Sequence, residues 1–81
     1  MHYVYILECS DGSYYTGYTI DVQKRLKTHN AGLGSRITRS KLPVVLVHQE
    51  AYRSKSKALK REAEIKSWPR VKKEGLVKCK R

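Results

Sequence analysis

No phenylalanine occurs in this 81-residue chain, cysteine and proline occur twice each, and no apolar run approaches the length of a membrane span. The two cysteines, Cys9 and Cys79, lie near opposite ends, with no CxxC pair and no histidine in ligand spacing. That pattern reads as a half-buried thiol and a tail thiol rather than a zinc site. The start of the chain lacks a basic region followed by a long apolar stretch, so neither a signal peptide nor a membrane span is expected, and a reducing cytoplasm fits. No segment has the pattern of an amphipathic helix carrying bulky apolar residues, which argues against a membrane-surface role. Length excludes a barrel enzyme, a doubly wound cofactor domain and any deeply enclosed pocket, because so short a chain builds only a thin core.

Basic residues are missing from the first 23 positions, which hold Glu8, Asp11 and Asp21 for a net charge of −3. The rest of the chain carries all 18 Lys and Arg against four acids, and the whole chain reaches +11. Such an excess points to a polyanionic partner, with the basic surface lying beyond the first two elements. Hydrophobic residues at 40% and charged residues at 31% are those of a folded chain rather than a disordered one.

His2 to Cys9 is rich in β-branched and aromatic residues, apolar in both alternating sets, which predicts a strand covered on both faces. Ser10-Asp11-Gly12 is turn chemistry, and Ser13 to Thr19 reads as a second strand paired with the first. Thr19 or Asp21 caps a helix that runs to about Asn30 and stops at Ala31-Gly32. Residues 32 to 42 read as a basic loop. Pro43 introduces a third strand at Val44 to Val47, and Ser54 or Ser56 caps a second long helix that reaches roughly Trp68. Pro69 ends that helix and opens a short final one near Val71 to Glu74. The expected fold is α+β in the order β-β-α-β-α-α: one domain over residues 1–75, with a basic tail at 76–81, taken as a monomer.

Several polar residues fall where packing alone would not put them. At 100° per residue, Arg25 and His29 share the sector of Val22 and Leu26 on the first helix. On the second, Ala58, Leu59 and Ile65 define an apolar face with Glu62 projecting between them. A carboxylate there needs a compensating cation, which could be Arg25, Lys66 one turn on, or a bound metal. The tyrosines raise a question of register. A two-residue Asp11-Gly12 turn puts Tyr5 and Tyr15 on opposite sheet faces. A three-residue loop with Gly12 left-handed sets Tyr5 opposite Gly17 and makes Tyr5 and Tyr15 diagonal neighbours on one face. The three-residue loop is the expectation.

These residues resemble the GIY-YIG nuclease domain, in particular its small stand-alone bacterial branch. The first motif stands as Tyr3-Val4-Tyr5 and the second, ten residues on, as Tyr15-Thr16-Gly17. The likeness continues through Arg25 and His29 and through Ala58-Leu59-Lys60-Arg61-Glu62 with Ile65-Lys66. It departs from the family pattern in lacking Gly-Ile before Tyr5 and in having no Asn after Glu62.

The resemblance implies a three-stranded antiparallel sheet flanked by helices and a Mg²⁺- or Mn²⁺-dependent endonuclease acting on nucleic acid, DNA ahead of RNA. On that reading Tyr5 and Tyr15 match the motif tyrosines, Arg25 the helix arginine, and Glu62 the metal-binding glutamate, with His29 as a secondary proton-transfer group. Lys24, Lys27, Arg36, Arg39, Lys41 and Lys66 are the cations expected to meet flanking phosphates. The competing expectation is a non-catalytic module that binds structured RNA or DNA on the same fold.

Overall fold

The computed structural model describes residues 1–34 and 36–78; Cys79, like the rest of 79–81, lies outside the described residues. Among the described residues seven elements follow one another: β1 (His2–Glu8), β2 (Tyr14–Thr19), α1 (Val22–Asn30), α2 (Arg36–Arg39), β3 (Val45–Tyr52), α3 (Lys55–Lys66) and α4 (Arg70–Lys78). The strands form one antiparallel sheet in the order β2-β1-β3, so the most apolar strand is the middle one. Val4, Tyr5, Ile6 and Leu7 are all buried, as a strand apolar in both alternating sets requires.

The β1–β2 hairpin closes through the expected three-residue loop. Cys9 N donates to Ser13 O at 2.8 Å, Gly12 N donates to Cys9 O at 2.9 Å, and Gly12 takes φ +85°. Asp11 steadies the loop by accepting from Ser13 N and Oγ at 3.0 and 2.6 Å. The register is Tyr5 opposite Gly17 and Leu7 opposite Tyr15.

Alternation along β1 then builds two cores. Val4 and Ile6 pack with Ala58 and Ile65 of α3, sealed by Trp68 and by Leu76 and Val77 of α4. Tyr5, Leu7 and Cys9 lie on the other face with Val44, Tyr15 and Leu26 of α1. Asp21 caps α1 by accepting from Lys24 N, and Ser54 caps α3 by accepting from Lys57 N.

Three expectations need correction. The 32–42 segment is not all loop: it contains α2, a single turn too short to show a helical period. The third strand runs to Tyr52 rather than Val47, because His48, Glu50 and Tyr52 turn inward although they break the apolar run. The Glu50 carboxylate accepts from Arg61 Nε and Nη2 at 2.9 and 3.2 Å, from Tyr52 Oη at 2.6 Å and from His48 Nε2 at 2.8 Å. A carboxylate with that many donors can line a core, although the buried His48 Nδ1 has no partner among the described residues. The last helix spans Arg70–Lys78 rather than Val71 to Glu74, since Leu76 and Val77 pack against the core. No helix among the described residues is long and apolar enough to cross a membrane.

Candidate active site

Tyr5 sits at the centre of the sheet face covered by α1 and is 2% exposed. Gly17 makes its position possible: a Cβ there would lie 2.5 Å from Tyr5 Cζ, well inside contact distance, so the phenol occupies the space a side chain would take. Tyr15 stands diagonally across on β2, with its ring centroid 6.5 Å from that of Tyr5.

From above, α1 brings His29, which is fully buried, with Nε2 3.1 Å from the Tyr5 hydroxyl and its ring 5.3 Å from Tyr15. Arg25, one turn earlier, brings its positive charge close enough to pull the Tyr5 phenol down. The intrusion of Arg25 and His29 into the apolar stripe of α1 thus has a structural cause: they meet Tyr5 there.

Electrostatics ties the group together. Burial pushes the Tyr5 phenol above its ordinary 10.0, the neighbouring Arg25 guanidinium pulls it back, and the charges of Tyr15 and Glu62 push it up again. Burial first, and then the charge of Arg25, hold the His29 imidazole below 6.5, so it is neutral at pH 7. Arg25 Nε is buried and has no protein partner among the described residues, a donor left for something else. Arg25 also lines a cleft of about 310 Å³ with Thr19, Ile20, Asp21, Lys24 and Thr28.

Glu62 approaches from α3. Its side chain is 18% exposed and meets the ammonium of Lys66, itself half exposed, at 3.1 Å. Leu59, which was expected to share the core face with Glu62, is exposed at 39%; the buried residues of α3 are Ala58 and Ile65. Glu62 therefore borders the core instead of interrupting it, and of the compensating cations open to it, Lys66 is the one it meets.

The donor chemistry decides what cation could bind. Among the described residues no three His, Cys, Asp or Glu side chains cluster, which rules out a closed all-protein site there. A single carboxylate loosely held by a surface lysine fits Mg²⁺ or Mn²⁺, which keep several waters and take substrate phosphate oxygens as ligands.

The expected phosphate contacts divide. Lys24, Lys27 and Arg39 are exposed, Lys41 is 3.3 Å from Asp11, and Lys66 is held by Glu62. The side chain of Arg36 lies outside the described residues. Sequence reasoning missed Thr38, whose Oγ1 is 2.8 Å from His29 Nδ1, and Gly34, whose backbone lies against the same ring. Neither had a periodic pattern to betray it.

The GIY-YIG catalytic domain matches residues 1–74. The chain belongs to the GIY-YIG family. Similar chains share its size: a UPF0213 protein of Halobacterium salinarum is 57% identical over 94% of this chain and 99% of that one. A UPF0213 protein of Staphylococcus aureus is 56% identical over 95% and 94%. The solution NMR structure of a UPF0213 protein from Bacillus halodurans superimposes with a TM-score of 0.65 at 53% identity, covering 98% of this chain and 84% of that one. The GIY-YIG family is one of nucleases, and the five residues described above lie within the span its domain matches.

Proposed function

We propose that this GIY-YIG domain is a divalent-metal-dependent endonuclease, DNA being the substrate favoured over RNA. The observation that carries this reading is the convergence of Tyr5, Tyr15, Arg25 and His29 on one sheet face, with Glu62 close enough to act on Tyr5. Arg25 grips a non-bridging oxygen of the scissile phosphate through donors that include the unpartnered Nε, and stabilises the charge that grows there. Tyr5 takes a proton from the attacking water, and His29 stands behind it as a neutral acceptor. Tyr15 fills the diagonal position and keeps both rings in place. Glu62 would hold Mg²⁺ or Mn²⁺, which supplies charge neutralisation at the phosphate and the leaving oxygen. Lys24, Lys27, Arg36, Arg39 and, where released from their acidic partners, Lys41 and Lys66 track flanking phosphates without reading sequence.

A second reading, a nucleic-acid-binding module without turnover, is favoured by one observation: Glu62 already has a cation in Lys66. Incubation of the purified protein with supercoiled plasmid, and in parallel with a structured RNA, separates the two. Nicking that requires Mg²⁺ or Mn²⁺ and is lost in Glu62→Ala supports the nuclease. Tight binding with no nicking in either metal, or nicking that survives Glu62→Ala, overturns it.

A further inference from the structure

The hydrogen bond between Tyr5 and His29 has a chemical direction, and it leads to a residue outside the family resemblance. A phenol O–H is a stronger acid than an imidazole N–H, and a bare imidazole nitrogen is a better acceptor than a phenol oxygen, so Tyr5 donates to His29 Nε2 at 3.1 Å, which accepts only if it carries no hydrogen. In a neutral imidazole the hydrogen then resides on Nδ1, 2.8 Å from Thr38 Oγ1. We propose that Thr38 is the positioning residue that holds His29 as its Nδ1–H tautomer, so that Nε2 faces Tyr5 as an acceptor.

Burial makes the arrangement hard to exchange. His29 and Thr38 are both fully inaccessible. Gly34 closes on the other side of the ring, where a Cβ would come within 2.8 Å of His29 Cγ. The next residue, Asn30, clamps the far end of the same segment: its Nδ2 donates to Val44 O at 3.1 Å and its Oδ1 accepts from Val44 N at 2.8 Å. The segment from α1 to β3 is thus folded back on the end of α1 at two consecutive residues, and α2 exists to deliver Thr38.

The inference rests on the reading of Tyr5 as the group that takes the water proton. In that step a water O–H bond breaks and a Tyr5 O–H bond forms, while the original Tyr5 proton moves to His29 Nε2. The imidazolium so formed has both N–H groups paired, one with Tyr5 and one with Thr38. Without Thr38 the Nδ1–H would be a buried donor with one partner fewer, and the other tautomer, which presents a hydrogen to Tyr5 and blocks the transfer, would compete.

Nitrogen-15 shifts of the imidazoles at pH 8, with His29 assigned by its disappearance in His29→Gln, report the tautomer directly. The wild type should show a protonated Nδ1 and a bare Nε2. Thr38→Val, which keeps the shape and removes the hydroxyl, should give mixed or reversed shifts. It should also lower kcat on the order of 10-fold, part of what full acid–base help supplies, with nucleic-acid affinity unchanged. Thr38→Ser should restore both. A wild-type Nε2–H tautomer overturns the proposal, as does a Thr38→Val protein with wild-type shifts, or Thr38→Ser impaired as severely as Thr38→Val. Should Thr38→Val fail to fold, the wild-type shifts and Thr38→Ser still decide. An Nδ1–H tautomer in a protein that cleaves nothing supports the placement by Thr38 and removes the nuclease reading instead.

Discussion

Tyr5 and His29 are displaced in opposite directions, the phenol above 10.0 and the imidazole below 6.5. Between those limits both are neutral and the transfer from one to the other is open. Cleavage should therefore hold a plateau from about pH 7 to 10. It should fall on the acid side as His29 gains a proton, turning Nε2 from acceptor to donor. A pH–rate profile with saturating protein checks this. An acid limb above 6.5, or a basic limb between 7 and 10, would contradict the assignment. The lowered imidazole also links to folding: the unfolded chain binds that proton more readily, so stability is full above 6.5 and declines as pH falls through that value. Rate and stability should therefore be measured on the same samples.

At the scale of elements, β3 and α3 are joined by a carboxylate that none of the periodicities could place. Burial alone would push Glu50 up, but hydrogen bonds from Arg61, Tyr52 and His48 hold it at about 2. Its folded value lies below the ordinary 4.5, so its contribution is present above 4.5 and is lost as pH falls toward 2. Glu50→Gln should cost about 2 kcal/mol at pH 6, on the scale of a part-buried charged hydrogen-bond network. Urea midpoints at pH 6 and pH 3 should show the gap between wild type and variant narrowing at the lower pH. A gap of the same size at both would assign the cost to packing. The hairpin, by contrast, was legible, because Gly12 and Gly17 are local signals: one admits a left-handed turn and the other leaves room for a ring. Leu59 lies outside the core, so helix period locates Glu62 but overstates its burial. The inward set of β3 escaped because alternation counts apolar residues, and a polar trio centred on a carboxylate paired from another helix looks like the end of a strand. Thr38 escaped because a four-residue turn has no period and its partner lies nine residues away.

Across the whole molecule, charge is divided by element. The chain from β1 to the cap of α1 carries Glu8, Asp11 and Asp21 with no Lys or Arg, and every Lys and Arg follows. Lys24, Lys27 and Arg39 are exposed and form no ion pair among the described residues. Replacing all three by Ala should weaken duplex binding equally across sequences and reduce the salt slope by about 0.9 per lost contact, roughly 2 to 3 units. Titrations from low to high salt measure it; an unchanged slope would move the binding surface to the lysines of α3 and α4. Tyr5 itself belongs to a different part of the molecule. It rides on the middle strand, bonded to a neighbour on each side and covered above and below, the kind of segment whose amides exchange last with solvent. Its proton acceptor hangs from a helix end, and its cations lie on the periphery. Adjustment to a substrate must then come from those outer parts moving over nanoseconds to milliseconds around a phenol that stays still. Nucleic acid has to bend toward the tyrosine, because the tyrosine cannot travel without unfolding the sheet.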